Sequence, residues 1–150
     1  MLKAKDIMTT ELITISPTAE LSHATRLLLE RRVNGIPVVD GEELVGIICQ
    51  SDLVALQKKI RIPSLFTLFD GFIPLKTTKH FEKEVQKIVA NRVEEIMTPN
   101  PVTVGVETTI EDIANLMVEK NFHTIPVVDE GKLVGIIGKE DILRTLMPGY

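Results

Sequence analysis

Ile36-Pro37-Val38-Val39-Asp40 returns 89 residues later as Ile125-Pro126-Val127-Val128-Asp129. After a short gap each stretch is followed by Leu-Val-Gly-Ile-Ile, at 44–48 and again at 133–137, and then by Asp52 or Asp141. Ile-Met-Thr precedes both, at 7–9 and 96–98. Residues 5–54 align onto 94–143 without a gap, and seventeen of those 50 positions are identical. The chain is therefore built from two copies of one unit of about 50 residues, expected to pack around a pseudo-twofold axis. A site formed where they meet should exist twice, and two linked sites are a simple way to build a sensor.

Working outward, each copy reads as strand, helix, strand, strand, helix. A short amphipathic lead-in (4–8; 93–97) precedes a brief strand at 12–15 or 102–104. A helix is expected at Thr18–Arg32 and Thr108–Lys120, since Leu21, Ala24 and Leu28, and Ile110, Ile113 and Met117, recur at three- and four-residue steps. Thr18 and Thr108 are the expected caps. The β-branched runs 36–39 and 44–48 are joined by Asp40-Gly41-Glu42-Glu43, and their counterparts by Asp129-Glu130-Gly131-Lys132, which predicts two hairpins. Ser51-Asp52 and Glu140-Asp141 open the last helices. Pro37 and Pro126 lack an amide donor, so each should begin its strand or lie on an edge.

The fold class is thus α+β: two pseudo-twofold-related βαββα repeats packed through their sheets. The domain reading is 1–54 for repeat 1 with its lead-in, 55–92 for a connector, and 93–150 for repeat 2. The connector is long for a plain linker. It holds Phe66, Phe69, Phe72 and Phe81, with breakers at Pro63, Gly71 and Pro74, and a helix is expected from Lys79. Either its aromatics pack onto their own subunit or they form a patch for self-association or a partner.

Bulk properties narrow the function classes. The 150 residues carry a net charge of −4 with no basic block, which disfavours a phosphate-backbone binder. No apolar run approaches the ~18 residues of a membrane helix. Lys3, Lys5 and Asp6 interrupt the place where a signal peptide has its apolar core. The lone Cys49 has no internal partner for a disulfide. The expectation is a soluble, cytoplasmic protein.

The paired motif, Ile-Pro-Val-Val-Asp, a turn, then Leu-Val-Gly-Ile-Ile-x-x-x-Asp behind Ile-Met-Thr, resembles the CBS (cystathionine-β-synthase) domain in both copies, over two-thirds of the chain. The resemblance implies a regulatory pair, a Bateman module. Its two clefts would bind an adenosine compound such as AMP, ADP, ATP or S-adenosylmethionine, and such pairs usually associate further as homodimers. It implies no cofactor, although Mg²⁺ can accompany a nucleotide, and it leaves open a separate protein effector.

Asp52 and Asp141 are the firmest site candidates. An ionised carboxylate can accept both hydroxyls of a ribose diol, and the family's motif puts its Asp there. The bland alternative is an acidic residue stabilising the first turn of a helix. Where the family usually has Thr or Ser, this chain has Cys49 and Gly138. Gly138 would let a backbone N–H come close to a ligand, and Cys49 reads as a small buried filler. Ser51 can donate to a phosphate, whereas Glu140 repels one unless a cation intervenes. His123 stands where phosphate-binding members carry a basic residue, with Asn34 its counterpart; a packed histidine is the competing reading. In the family arrangement Asp52 with His123 makes the better phosphate site, and Asp141 with Asn34 the poorer. Ile36, Pro37, Ile47 and Ile15 would line one cleft and Ile125, Pro126, Ile136 and Val104 the other, with backbone near Thr14 and Thr103 at the adenine edge.

Catalysis has little support. There is no phosphate loop or nucleophile motif, and His23, His80 and His123 lack ligand spacing. A non-catalytic binding module is the first reading. A ligand-free assembly module, acting through the dimer surface and the connector, is the second.

Overall fold

Apolar, β-branched runs on either side of a short glycine-containing turn make the two quoted motifs into hairpins. The structure, a computed structural model, describes residues 1–56 and 91–149. In repeat 1, β1 (Gly35–Asp40) pairs antiparallel with β2 (Glu43–Cys49); in repeat 2, β5 (Thr124–Asp129) pairs with β6 (Lys132–Gly138). Both loops are two residues long. Glu130 and Gly131 have φ of 50° and 79°, the double positive of a type I′ turn, while repeat 1 has Gly41 at 62°. Both hairpins carry a register shift at the same place, Val38/Val39 and Val127/Val128.

Helices α1 (Ala4–Ile7), α2 (Leu21–Glu30), α3 (Gln50–Leu56), α4 (Val93–Ile96), α5 (Ile110–Lys120) and α6 (Lys139–Arg144) complete the described elements, with short strands β3 (Thr98–Pro99) and β4 (Val104–Gly105). The sheets are ordered β1-β2-β3 and β4-β5-β6, and they touch through β2 and β6. The architecture is the expected α+β pair of repeats.

Several local expectations shift. The strand foreseen at 12–15 reduces to one parallel bridge between Ile15 and Val38, because only Ile15 reaches the β1 edge. Its counterpart survives as the two residues of β4. Neither Thr18 nor Thr108 caps a helix. Thr109 Oγ1 accepts the Asp112 amide, Thr108 Oγ1 accepts that of Gly105, and α2 starts after Glu20 without a side-chain cap. Pro37 and Pro126 are each the third residue of their strand rather than the first; β1 is an edge strand of its sheet, as expected for Pro37, whereas β5 is the middle strand of its own. The missing donor is harmless beside Ile15. The parallel partner gives its Ile15 amide to the Pro37 carbonyl and takes the next donor from Val39. The connector, with its four phenylalanines and expected helix, lies outside the described residues.

Each repeat completes its core with the other's lead-in. Ala4 and Ile7 of α1 pack with Val104, Ile113, Met117, Ile125, Val127 and Ile137 of repeat 2. Val93 of α4 packs with Leu21, Ala24, Leu28, Ile36, Val38 and Ile48 of repeat 1. Backbone hydrogen bonds enforce the exchange: Ala4 to Thr108 (2.8 Å), Lys5 to Val106 (3.0 Å), Val93 to Ala19 (2.9 Å) and Glu94 to Pro17 (2.9 Å). The repeated glycines belong to the same design. A Cβ on Gly46 would fall 2.4 Å from Met97 Sδ, and one on Gly135 would fall 2.4 Å from Met8 Sδ. Ile-Met-Thr of one repeat thus lies over Leu-Val-Gly-Ile-Ile of the other.

Candidate functional site

The bridge Thr9–Ile136 and the pairing of Thr98 with Ile47 carry each exchanged lead-in across the opposite sheet and toward the opposite aspartate. Two clefts result. The first, about 260 Å³, is lined by Thr9, Glu11 and Ile13, by Arg31 to Gly35, and by Thr124, Ile136, Gly138 to Asp141 and Arg144. The second, about 310 Å³, is lined by Ile47, Cys49, Ser51 and Asp52, by Thr98, Asn100, Pro101 and Val102, and by Lys120 to Thr124 with Pro126. Nearly every wall residue of one has its counterpart 89 positions away in the other. Their size suits a small ligand.

Each cleft joins the carboxylate of one repeat to the helix end of the other: Asp52 with His123, and Asp141 with Asn34. Asp52 Oδ2 accepts the Cys49 amide at 2.7 Å, and Asp141 Oδ2 accepts the Gly138 amide at 2.8 Å. The helix-stabilising role is therefore present in both copies. The second oxygens face other groups. Thr98 Oγ1 donates to Asp52 Oδ1 at 3.3 Å; Arg144 Nη1 (3.0 Å) and Thr9 Oγ1 (3.5 Å) donate to Asp141 Oδ1. A carboxylate oxygen can accept more than one such bond.

Several expected wall residues lie elsewhere. Ile15, Ile36, Val104 and Ile125 are buried in the two cores, with Ile36 and Ile125 at 0% exposure, because their side chains point to the helix-covered face of each sheet. Pro37 is buried too, and neither it nor Thr14 nor Thr103 lines a cleft. Ile47 and Pro126 come together in the second cleft, so an apolar wall draws on both repeats rather than on one. The Gly138 amide is taken by Asp141 and is not left for a ligand. A Cβ there would meet nothing closer than 3.8 Å, so space does not require the glycine. His123 is exposed, not packed among apolar side chains. Cys49 is half-buried; burial first and the Asp52 charge second push its thiol up to about 11, which keeps it protonated and unreactive near neutral pH.

The threonine of Ile-Met-Thr escaped the sequence reading as a site residue, although its identity at 9 and 98 was the available signal. Arg31, Arg32, Lys139 and Arg144 escaped it as well. Among the described residues no group of three or more His, Cys, Asp or Glu is placed to hold a metal ion, and no helix is long and apolar enough to cross a membrane.

The CBS domain model matches residues 4–59 and 93–148. The chloroplastic CBS domain-containing protein CBSX2 of Arabidopsis thaliana is 34% identical over 89% of the chain. The chain spans about 60% of the length of the Arabidopsis relatives it matches. An uncharacterised Methanocaldococcus jannaschii protein, MJ1426, is 31% identical, with 95% of this chain and 90% of that protein aligned. Among solved structures, CBSX2 in complex with AMP superposes with a TM-score of 0.72 at 31% identity, covering 97% of this chain and 96% of that one. The CBS pair of the protein MJ0100, in complex with 5′-methylthioadenosine and S-adenosyl-L-methionine, superposes with a TM-score of 0.71 at 27% identity, covering 97% and 96%.

Proposed function

This chain belongs to the CBS-domain family, and on that premise we propose that it is a non-catalytic regulatory module binding an adenosine-containing ligand in the two clefts between its repeats. The observation that carries the reading is the repeated cleft geometry. In each, a carboxylate fixed by a backbone amide at 2.7–2.8 Å faces the helix end of the other repeat. Asp52 and Asp141 are the ribose acceptors. Thr9 and Thr98 put a hydroxyl beside each carboxylate, which offsets the hydroxyls absent at Gly138 and Cys49. Ile47 with Pro126, and Ile13 with Ile136, supply the apolar walls for the adenine. The complexes of CBSX2 with AMP and of MJ0100 with two adenosyl compounds support that ligand class.

Signalling would work by differential affinity. A ligand that touches both repeats favours one relative arrangement of them, and an effector reads that arrangement. Location in the cytoplasm is part of the proposal, although the Arabidopsis relative is chloroplastic.

The second reading, assembly without a ligand, draws on the exposed apolar side chains. Leu29 (71%) and Val118 (82%) are counterparts in the two repeats, as are Val54 (68%) and Leu143 (60%). Matched apolar positions suit a second copy of the chain, so a homodimer is compatible with both readings.

A thermal-shift titration with AMP, ADP, ATP and S-adenosylmethionine, with and without Mg²⁺, tests the proposal. Ligand at 100 times its Kd is expected to add about 2.7 kcal/mol of stability. Asp52→Ala and Asp141→Ala should each remove part of that shift. Absence of any shift at millimolar ligand would favour the assembly reading.

A further inference from the structure

Related by one pseudo-axis, the two clefts nonetheless differ in charge. The first holds Arg31, Arg32, Lys139 and Arg144 against Glu11, Glu140 and Asp141. In the second, Lys120 and His123 stand against Asp52 alone. The differences fall at equivalent positions: Arg32 is replaced by Asn121, Lys139 by Gln50 and Arg144 by Ala55. Resting on the adenosine-binding reading above, we propose that the two clefts take different ligands. The cleft at Asp141 takes a nucleoside phosphate, and the cleft at Asp52 takes an adenosine whose 5′ substituent is uncharged.

Three observations converge on this division. Arg144 is committed to Asp141 (3.0 Å) and Glu140 (3.7 Å), so its single charge offsets one of those two acids. Arg31, Arg32 and Lys139 make no ion pair with any described residue, which leaves two guanidinium forks and an ammonium against Glu11 and one remaining acid, a wall of net positive charge. A guanidinium matches a phosphate with two parallel hydrogen bonds, which an ammonium cannot do. Finally, Arg32 holds φ at 53°, in the left-handed region. Its counterpart Asn121 sits at 57°, where asparagine is tolerated and arginine is not favoured. The left-handed position closes the helix of each repeat, Val33 donating to the Leu28 carbonyl and Phe122 to that of Met117, and it sets Arg32 and Asn121 at the wall of their clefts.

Beside Lys120 and His123, the second cleft has the more apolar wall. Phe122 stands where the first has Val33, and Pro101, Val102 and Pro126 join it. Asn121 and Ser51 add polarity without charge.

Calorimetric titration of the full chain with AMP and with 5′-methylthioadenosine tests the division, since the two share adenosine and differ at the 5′ group. Arg32→Asn copies the residue of the other cleft and suits the local backbone. It is expected to weaken AMP binding about tenfold or more, the loss typical of a charge-assisted hydrogen bond, and to leave 5′-methylthioadenosine unchanged. Raising salt should weaken AMP and not the uncharged compound. Asn121→Arg should let the second cleft accept AMP. Arg31→Gln with Lys139→Gln gives the same readout from other side chains. AMP binding untouched by both sets of variants, or both compounds weakened alike, would overturn the division and leave adenosine binding standing. Failure of both compounds to bind the unaltered chain would overturn the adenosine reading, and this inference with it.

Discussion

Gly135 and Gly46 lie under methionines that belong to the opposite repeat. A Cβ on Gly135 would approach Met8 Sδ to 2.4 Å and Met8 Cβ to 3.1 Å, so the methionine must move from its root rather than swing its tip. Gly135→Ala is expected to cost about 1–3 kcal/mol in urea unfolding, and Met8→Ala in the same chain should recover part of that loss. Additive losses in the double variant would show that the contact is not the cause. The same scale shows what sequence could and could not give. Asp52 and Asp141 stood out because identity between the copies marks what both clefts share. Arg31, Arg32, Lys139 and Arg144 stayed hidden for the converse reason: what distinguishes the clefts sits where the copies differ. Ile36 and Ile125 were misplaced because a β-branched residue in a strand motif looks alike on either face until the sheet is covered.

The helix faces were legible. Leu21, Ala24 and Leu28 are buried in α2 as their spacing requires, and Ile113 and Met117 in α5. Periodicity gives a face without naming its partner, so the exchange of α1 and α4 was not readable. Ile7→Ala tests that exchange. Truncating this side chain, 7% exposed, should cost about 2–5 kcal/mol. Although Ile7 precedes repeat 1, hydrogen exchange should quicken first in α5 and β5 of repeat 2. Quickening confined to α2 and β1 would contradict the packing described. An ion-pair cluster fixes the same segment. Lys3 and Lys5 reach Glu107 at 2.5 and 2.6 Å, and their hydrogen bonds lower its carboxyl from 4.5 to about 2. A depressed carboxylate stabilises the fold above its unfolded value and loses that contribution as the pH falls through the folded one. Glu107→Gln should therefore be less stable than the unaltered chain above about pH 4.5, with the difference closing toward pH 2. The pair is exposed, so the difference should be small and shrink in salt.

In the molecule as a whole, the constant offset of 89 foretold the pseudo-twofold pair and hence two clefts, and the pairing of Asp52 with His123 came from the family arrangement. Which cleft suits a phosphate did not follow from His123 alone; the cations of the first cleft argue for the reverse of the expected ranking. Leu29→Glu with Val118→Glu alters one matched pair of exposed apolar positions. Under the proposed homodimer it is expected to halve the mass in sedimentation velocity while the melting temperature changes little. An unchanged mass would place any dimer contact elsewhere.

The exchanged lead-ins also set the order in which the chain can settle during its synthesis. When residue 56 has been made, repeat 1 has its hairpin and helices but not Val93, which fills its core from 37 positions further on. The first lead-in, meanwhile, has been made and has nothing to cover until β5 and β6 emerge. Elongation at about 5–20 residues per second leaves both half-cores open to water for seconds. The interior of repeat 1 can therefore close once the second lead-in has emerged, and that of repeat 2, whose covering segment was made first of all, closes after it.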